Sequence, residues 1–353
     1  MRRRLAIVDV QAPRAYSGAP GELSRLGGTE ATVTRIAEGL VATQSVDVFQ
    51  AARNQCQRVN GVAYLPFSAG QPLAGNPHEI IVINAWKVAV RLRRHHPALR
   101  IWVWLHVYPG RHNRAMGAAL VKADIGVICV SRSHAERLAA FLPGPLPRIT
   151  HIFNPIPDAL APDSTSRDPD RLLFASSPHK GLDEIFTLFA QLRQRWPALC
   201  LAVADPGYLH WPTGAPPEGV VFLGRLDPPA LMDQMRRSLC LFYPQTRFAE
   251  TFGLVIAEAN AVGCPALVHR GLGANDEICS TIDQGVDGTD IDAIAARLLR
   301  WRGTAPVVTA RPEFRQSAVL ADWGRLLSGR WPVCPQPTIA GIRTPFEAGV
   351  LDA

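Results

Sequence analysis

Two carboxylates, Glu250 and Glu258, stand with seven residues between them, and the residues between suit the binding of an anion. Thr251, Phe252 and Gly253 follow the first carboxylate, and an apolar, helix-like run leads through the second to Gly263 and Pro265. Thr251 is suited to cap a helix start, and Gly253 leaves the first-turn amides open to close approach. Gly263 is placed to stop the helix and Pro265 cannot continue it. If the whole stretch is helical, the two carboxylates lie roughly 12 Å apart along the axis. A helix N-terminus takes the anionic middle of a ligand, and each carboxylate accepts hydroxyl hydrogen bonds at one of its ends. A nucleoside diphosphate sugar has that layout.

Other positions add complementary chemistry. Lys180, in the run Ser176, Ser177, Pro178, His179, Lys180, Gly181, is a compact cation between a strand-like and a helix-like segment. There it can neutralise a diphosphate leaving group. Gly27 and Gly28 precede Thr29 and Glu30 at the start of a helical pattern, so a second backbone can approach an anion. This glycine pair matches neither GxGxxG nor a phosphate-binding P-loop, so nicotinamide and ATP gain no support. His106 ends the run Ile101 to Leu105, where parallel sheets place ligand contacts. Asn154, Ser131 and Glu277 are further polar candidates, each with a plain alternative as turn former, helix cap or surface residue. Asp168-Pro169-Asp170 and Asp290-Ile291-Asp292 imitate an Asp-x-Asp metal motif. The first falls in an expected linker and the second at a helix start, so no metal site is assigned. There is no GxSxG elbow and no Cys/His pairing for a nucleophile.

Positioning these residues requires alternating strands and helices. Short apolar runs at 5–10, 46–50, 80–84, 100–106, 125–130 and 149–153 read as strands, and 29–43, 85–95, 114–122 and 133–141 as helices. Residues 156–170 are rich in turn formers and predict a boundary. The pattern then restarts, with strands at 171–175, 199–203, 220–223, 239–243 and 266–268. Helices are expected at 181–196, 229–237, 253–262, 290–301 and 314–327. The implied fold class is α/β, with two doubly wound parallel sheets in series. The expected domains are 1–160 and 171–312, followed by a helix at 313–330 and a Pro-rich irregular tail at 331–353.

Composition narrows the classes. At 353 residues the chain has length for two cores, and 47% hydrophobic with 19% charged residues fits a globular enzyme. No apolar run approaches the length of a membrane span, and the basic start with Asp9 soon after it reads as a first strand, not a leader. Seven scattered cysteines without a CxxC pair predict reduced thiols and a cytoplasmic location. The net charge of +7, with basic clusters at Arg2 to Arg4 and Arg91 to His96, admits an anionic acceptor or peripheral contact with the inner face of a membrane. Nucleic-acid binding has no motif to support it.

The Glu-(seven residues)-Glu signature resembles that of retaining, nucleotide-sugar-dependent glycosyltransferases of the GT-B fold, family 4 in particular. So do Gly27-Gly28-Thr29-Glu30, Trp104-Leu105-His106, Val130-Ser131, Asn154-Pro155, His179-Lys180-Gly181 and the run from Gly271 to Glu277. The resemblance extends from Leu5 to about Leu327. It implies two Rossmann-like domains facing a cleft, a C-terminal helix returning to the N-terminal domain, and a donor held by the second domain. It further implies that Glu250 binds sugar hydroxyls, that Glu258 binds the ribose, and that Thr251 and the amides of Phe252, Gly253 and Leu254 face the donor. Lys180 and Ser177 would meet its phosphates, and His106, Gly27 and Gly28 would lie by the reacting sugar. The resemblance implies no cofactor and no metal. The co-substrate would be a UDP-, GDP- or ADP-linked sugar, and the acceptor a glycan, a lipid-linked sugar or a small molecule. Relatives carry an Arg five residues before the Lys, where this chain has Ala175; either Ser177, His179 or a residue from elsewhere compensates, or phosphate binding is weaker. Alternatives are a nucleotide-sugar epimerase on the same fold and a non-catalytic binding module.

Overall fold

The structure is a computed structural model and describes residues 2–22, 25–205, 207 and 213–330. The chain divides into two compact units: Met1–Pro155 together with Ser317–Ala353, and Ile156–Gln316. The tail expected to be irregular, 331–353, lies outside the described residues.

In the first unit the strands are β1 (Arg4–Asp9), β2 (Ser45–Gln50), β3 (Gln57–Val59), β4 (Val62–Pro66), β5 (Glu79–Ile83), β6 (Arg100–Leu105), β7 (Gly126–Cys129) and β8 (Ile149–His151). They form one sheet in the order β3-β4-β2-β1-β5-β6-β7-β8. The pairings are parallel except for the β3–β4 hairpin. The central strands are buried on both faces, which is why they read as continuous apolar runs. Helices α1 (Gly28–Leu40), α2 (Trp86–His95), α3 (Met116–Lys122) and α4 (Arg132–Phe141) connect them. Strand order reverses direction between β1 and β5, so their carboxyl ends flank a crevice suited to a ligand. The hairpin is absent from the sequence reading. Asn60 and Gly61 both take positive φ, 48° and 83°, as a two-residue hairpin turn requires.

The last helix, α10 (Gln316–Leu327), packs its Trp323 against Trp104 of β6 at 4.7 Å, edge to face. Arg100 ties down the end of α10 by donating to the Leu326 and Leu327 carbonyls while pairing with Glu79 at 2.7 Å. Several basic residues that the sequence presents as a charge patch are spent on such internal contacts. Arg93 donates to carbonyls of Ala123, Asp124, His96, Pro97 and Leu99.

The second unit holds β9 (Asp168–Phe174), β10 (Cys200–Val203), β11 (Val220–Phe222), β12 (Ser238–Tyr243), β13 (Ala266–His269) and β14 (Gly285–Val286). They form a sheet in the order β11-β10-β9-β12-β13-β14, and every pairing is parallel. Helices α5 (Leu182–Arg195), α6 (Pro228–Arg237), α7 (Leu254–Ala261), α8 (Asn275–Ile278) and α9 (Ile291–Gly303) connect them. Local chemistry fixes the helix starts. Asp227 caps α6 ahead of Pro228, and Asp290 caps α9 through the amides of Asp292 and Ala293. The expected linker is shorter than 156–170. Asp168 and Asp170 already belong to β9, and Asp170 pairs with Arg302. The switch point of this sheet lies between β9 and β12.

Candidate active site

The loops that leave β9 and β12 meet at that switch point, and they hold Lys180 and Glu250. Lys180 Nζ donates to Glu250 Oε1 at 2.9 Å and to Oε2 at 3.1 Å. The hydroxyl of Tyr243, the last residue of β12, donates to Glu250 Oε1 at 2.9 Å. Glu250 is 7% exposed and Tyr243 fully buried, so the carboxylate is held by two donors in a partly dehydrated setting. Lys180 also sits over the Phe248 ring at 4.6 Å, which adds a cation–π contact.

The β12 loop is rigid because neighbouring segments clamp it. Gln245 Oε1 accepts from the amides of Arg247 and Phe248, and its Nε2 donates to the Phe248 carbonyl. Glu184, in the first turn of α5, accepts from the Thr246 amide and hydroxyl, and Asp183 beside it pairs with Arg247. Gly273 accounts for part of the 271–277 motif. A Cβ on it would lie 2.4 Å from the Glu250 carbonyl oxygen and 2.6 Å from its amide nitrogen, and its φ is +58°. The Ala274 amide then donates to the Glu250 carbonyl at 2.9 Å.

The start of α7 differs from the expected one. Gly253, not Thr251, is the N-cap, in a left-handed conformation with φ of 86° that disfavours any side chain. The helix therefore begins after Glu250, and the 12 Å axial separation does not apply. Phe252 turns its ring inward, 5.2 Å from Phe314, so its side chain belongs to the core. The first intrahelical donor is Ile256, bonded to the Gly253 carbonyl, which leaves the Leu254 and Val255 amides at the mouth of the helix. Leu254, Val255 and Glu258 are the half-buried positions of α7, so Glu258 shares the helix's open side with Leu254. Gly263, with φ of 84°, ends the segment as expected.

On the β9 side, Ser177 is 1% exposed and its Oγ has no hydrogen-bond partner among the described residues. His179 packs edge-on to Phe248 at 5.5 Å. Burial, followed by repulsion from Lys180, holds its pKa below the ordinary histidine value, against an opposing pull from Glu250. Glu277 lies on the single turn α8, where its carbonyl accepts from Arg311 at 2.7 Å.

The remaining candidates belong to the first unit. Gly27 is the extended N-cap of α1, and Gly28 opens that helix. His106 follows β6, with its amide bonded to Asn84 Oδ1 at 2.7 Å and its ring 4.6 Å from that of Trp104. Complete burial, with some repulsion from His134, pushes its pKa down to about 3, so the imidazole is neutral. Ser131 caps α4, its Oγ accepting from the His134 amide at 3.0 Å. Asn154 is buried, and its Oδ1 lacks a partner among the described residues. Sequence reading passed over Asp9 at the end of β1. It accepts from the Gln11 and Ala12 amides and from the Tyr16 hydroxyl, and so shapes the loop leading to Gly27.

Among the described residues no group of three or more His, Cys, Asp or Glu side chains is arranged to hold a metal ion. No helix among them is long and apolar enough to cross a membrane.

Residues 171–302 match the family described as Glycosyl transferases group 1. No curated protein matches the chain significantly. Solved structures do. An α,α-trehalose-phosphate synthase (UDP-forming) from Burkholderia xenovorans, in complex with glucose-6-phosphate, is 14% identical with a TM-score of 0.66, covering 92% of this chain and 100% of that one. AviGT4, a glycosyltransferase involved in avilamycin A biosynthesis, is 17% identical with a TM-score of 0.58, covering 93% and 98%. A chain of the GtfA/B complex is 17% identical with a TM-score of 0.54; the match covers 71% of this chain but 57% of that longer one. The two parallel-sheet units have the GT-B fold, and residues 171–302 of the second are similar to group 1 glycosyl transferases.

Proposed function

We propose that the protein transfers a sugar from a nucleoside diphosphate sugar to an acceptor hydroxyl, with retention at the anomeric carbon and without a metal. The observation that carries this reading is the cluster of Lys180, Glu250 and Tyr243 at the switch point of a unit similar to group 1 glycosyl transferases. Glu250 would accept hydroxyls of the donor sugar, and Glu258 those of the ribose. Lys180, the unpartnered Ser177 Oγ and the first amides of α7 would receive the diphosphate. Gly27, Gly28 and His106 are the further candidates for contact with the sugar, His106 as a neutral hydrogen-bonding group. Ser131, Asn154 and Glu277 remain subsidiary candidates for ligand contact. The protein's contribution would be positioning and charge stabilisation, the leaving phosphate itself taking the acceptor's proton on the same face. The named product of the trehalose-phosphate synthase makes UDP the first nucleotide to test, ahead of GDP and ADP. The acceptor would be a glycan, a lipid-linked sugar or a small molecule. Arg91 and Arg94, exposed on α2, are where an anionic acceptor or membrane surface would be met. The epimerase alternative draws no support from the family match.

The test is a metal-free thermal-shift panel of nucleoside diphosphates and their sugars, followed by turnover with the donor that binds. A ligand that binds the folded state alone raises its melting temperature. One nucleotide should do so, and Glu258→Ala should abolish the shift. Glu250→Gln should lower turnover by about a hundredfold while keeping the fold. Gln is chosen because removing the carboxylate with Ala would leave Lys180 beside a cavity. Turnover of Glu250→Gln within a few-fold of wild type would remove Glu250 from the mechanism.

A further inference from the structure

We propose that Tyr243 is a positioning residue for Glu250, holding the carboxylate in place when Lys180 gives up part of its contact to the diphosphate of a bound donor. The inference rests on the donor-site reading above. Without a donor, Lys180 engages both oxygens of Glu250 and Tyr243 engages Oε1. A diphosphate carries more negative charge than a carboxylate and competes for the same ammonium. As Lys180 turns toward it, Glu250 loses a donor from each oxygen. A carboxylate that loses a charged donor is freer to reorient. The Tyr243 hydroxyl opposes this from the end of β12. Its phenol ends β12, paired in register with Val268, and its ring lies 5.8 Å from that of Phe174. The side chain is fully buried, so its hydroxyl direction is fixed by packing. Oε1 therefore keeps a donor from the sheet when Lys180 turns away. Charged and titratable groups around Glu250 include Lys180 and His179 from the β9 loop and Tyr243 from β12.

The experiment is Tyr243→Phe, alone and combined with Glu250→Gln, assayed for kcat, KM and nucleoside diphosphate affinity. The single variant should lose about tenfold in kcat/KM. Affinity for the nucleoside diphosphate alone should be unchanged, because the lost contact concerns the sugar. In the Glu250→Gln background Tyr243→Phe should cost nothing further, because it acts through Glu250. Additive losses would show general damage and overturn the inference, even if Tyr243→Phe is less stable. So would kcat/KM within twofold of wild type. A wild-type protein that turns over no nucleotide sugar would overturn both this inference and the reading beneath it, whereas turnover retained by Tyr243→Phe would overturn this inference alone.

Discussion

The two units solve the problem of fixing polar side chains in different ways. In the second, opposite charges meet: Lys180 against Glu250, Arg247 against Asp183 and Glu184. In the first, the buried titratable groups by the end of β6 are neutral imidazoles. His106 is driven down to about 3 and His134 to about 4 by burial, and Tyr108 packs against His134 at 4.9 Å. Under the proposed function, the charges would hold an anionic donor, and the neutral hydrogen-bonding groups would suit an uncharged sugar. The contrast also separates what each unit risks: geometry in the second, protonation in the first.

Breaking the geometry of the second unit should have the largest effect. Gly273→Ala places a methyl against the Glu250 backbone at a position with φ of +58°, so either the loop or Glu250 must move. Displacing a substrate-binding group by about 1 Å can cost on the order of a hundredfold in rate. Turnover should fall by about that factor, with a drop in melting temperature. A variant with normal kcat would show that the Gly273 contact does not fix Glu250, and the contrast between the units would lose its geometric half.

The protonation half is tested by acid. His106 and His134 bind protons less readily when folded than at the ordinary value of 6.5. Their contribution to stability is therefore complete above pH 6.5 and is lost as pH falls. Each should cost the first unit about 1.4 kcal/mol per pH unit below that value. Amide protection at Val103 and Val127 should decline faster than at Leu172 and Leu241 between pH 6.5 and 5.5. Glu79, whose carboxyl burial pushes up, acts in the opposite sense at lower pH, so the comparison belongs in that window. Equal decline in both units would abolish the contrast.

The same division governs what the sequence could reveal. Glu250, Glu258 and Lys180 announce themselves because a charged residue in an apolar strand-loop-helix context has few structural uses. The alternation of elements was equally legible, since strands buried on both faces read as unbroken apolar runs. The Asn60-Gly61 hairpin was legible as well and went unread. Tyr243 was not legible: within the run from Leu239 it reads as one more strand residue, and its hydroxyl acquires a partner through the fold of the loop up to Glu250. Gly273 was read as a motif member, but its reason, contact with the Glu250 backbone, exists only in three dimensions. Thr251 was misassigned because capping preference is a local rule. Here the left-handed Gly253 starts the helix two residues later.

The smallest effect sharpens the claim that charge pairing in the second unit serves placement more than stability. Arg247 has 58% of its side chain exposed and reaches Asp183 and Glu184, which are themselves partly solvated. Such pairs contribute less than about 1 kcal/mol, because water screens them and two long side chains must be ordered. Glu184 keeps its bonds from the Thr246 amide and hydroxyl without Arg247, and Gln245 still accepts from the Phe248 amide. Arg247→Ala should therefore shift the urea midpoint by little, and the remaining shift should shrink further in high salt. Its effect on donor affinity should also be small, since Lys180 and Glu250 are clamped by other residues. A large, salt-insensitive loss of stability would mean that the pair acts as a buried one, and that charge in this unit holds the fold as well as the ligand.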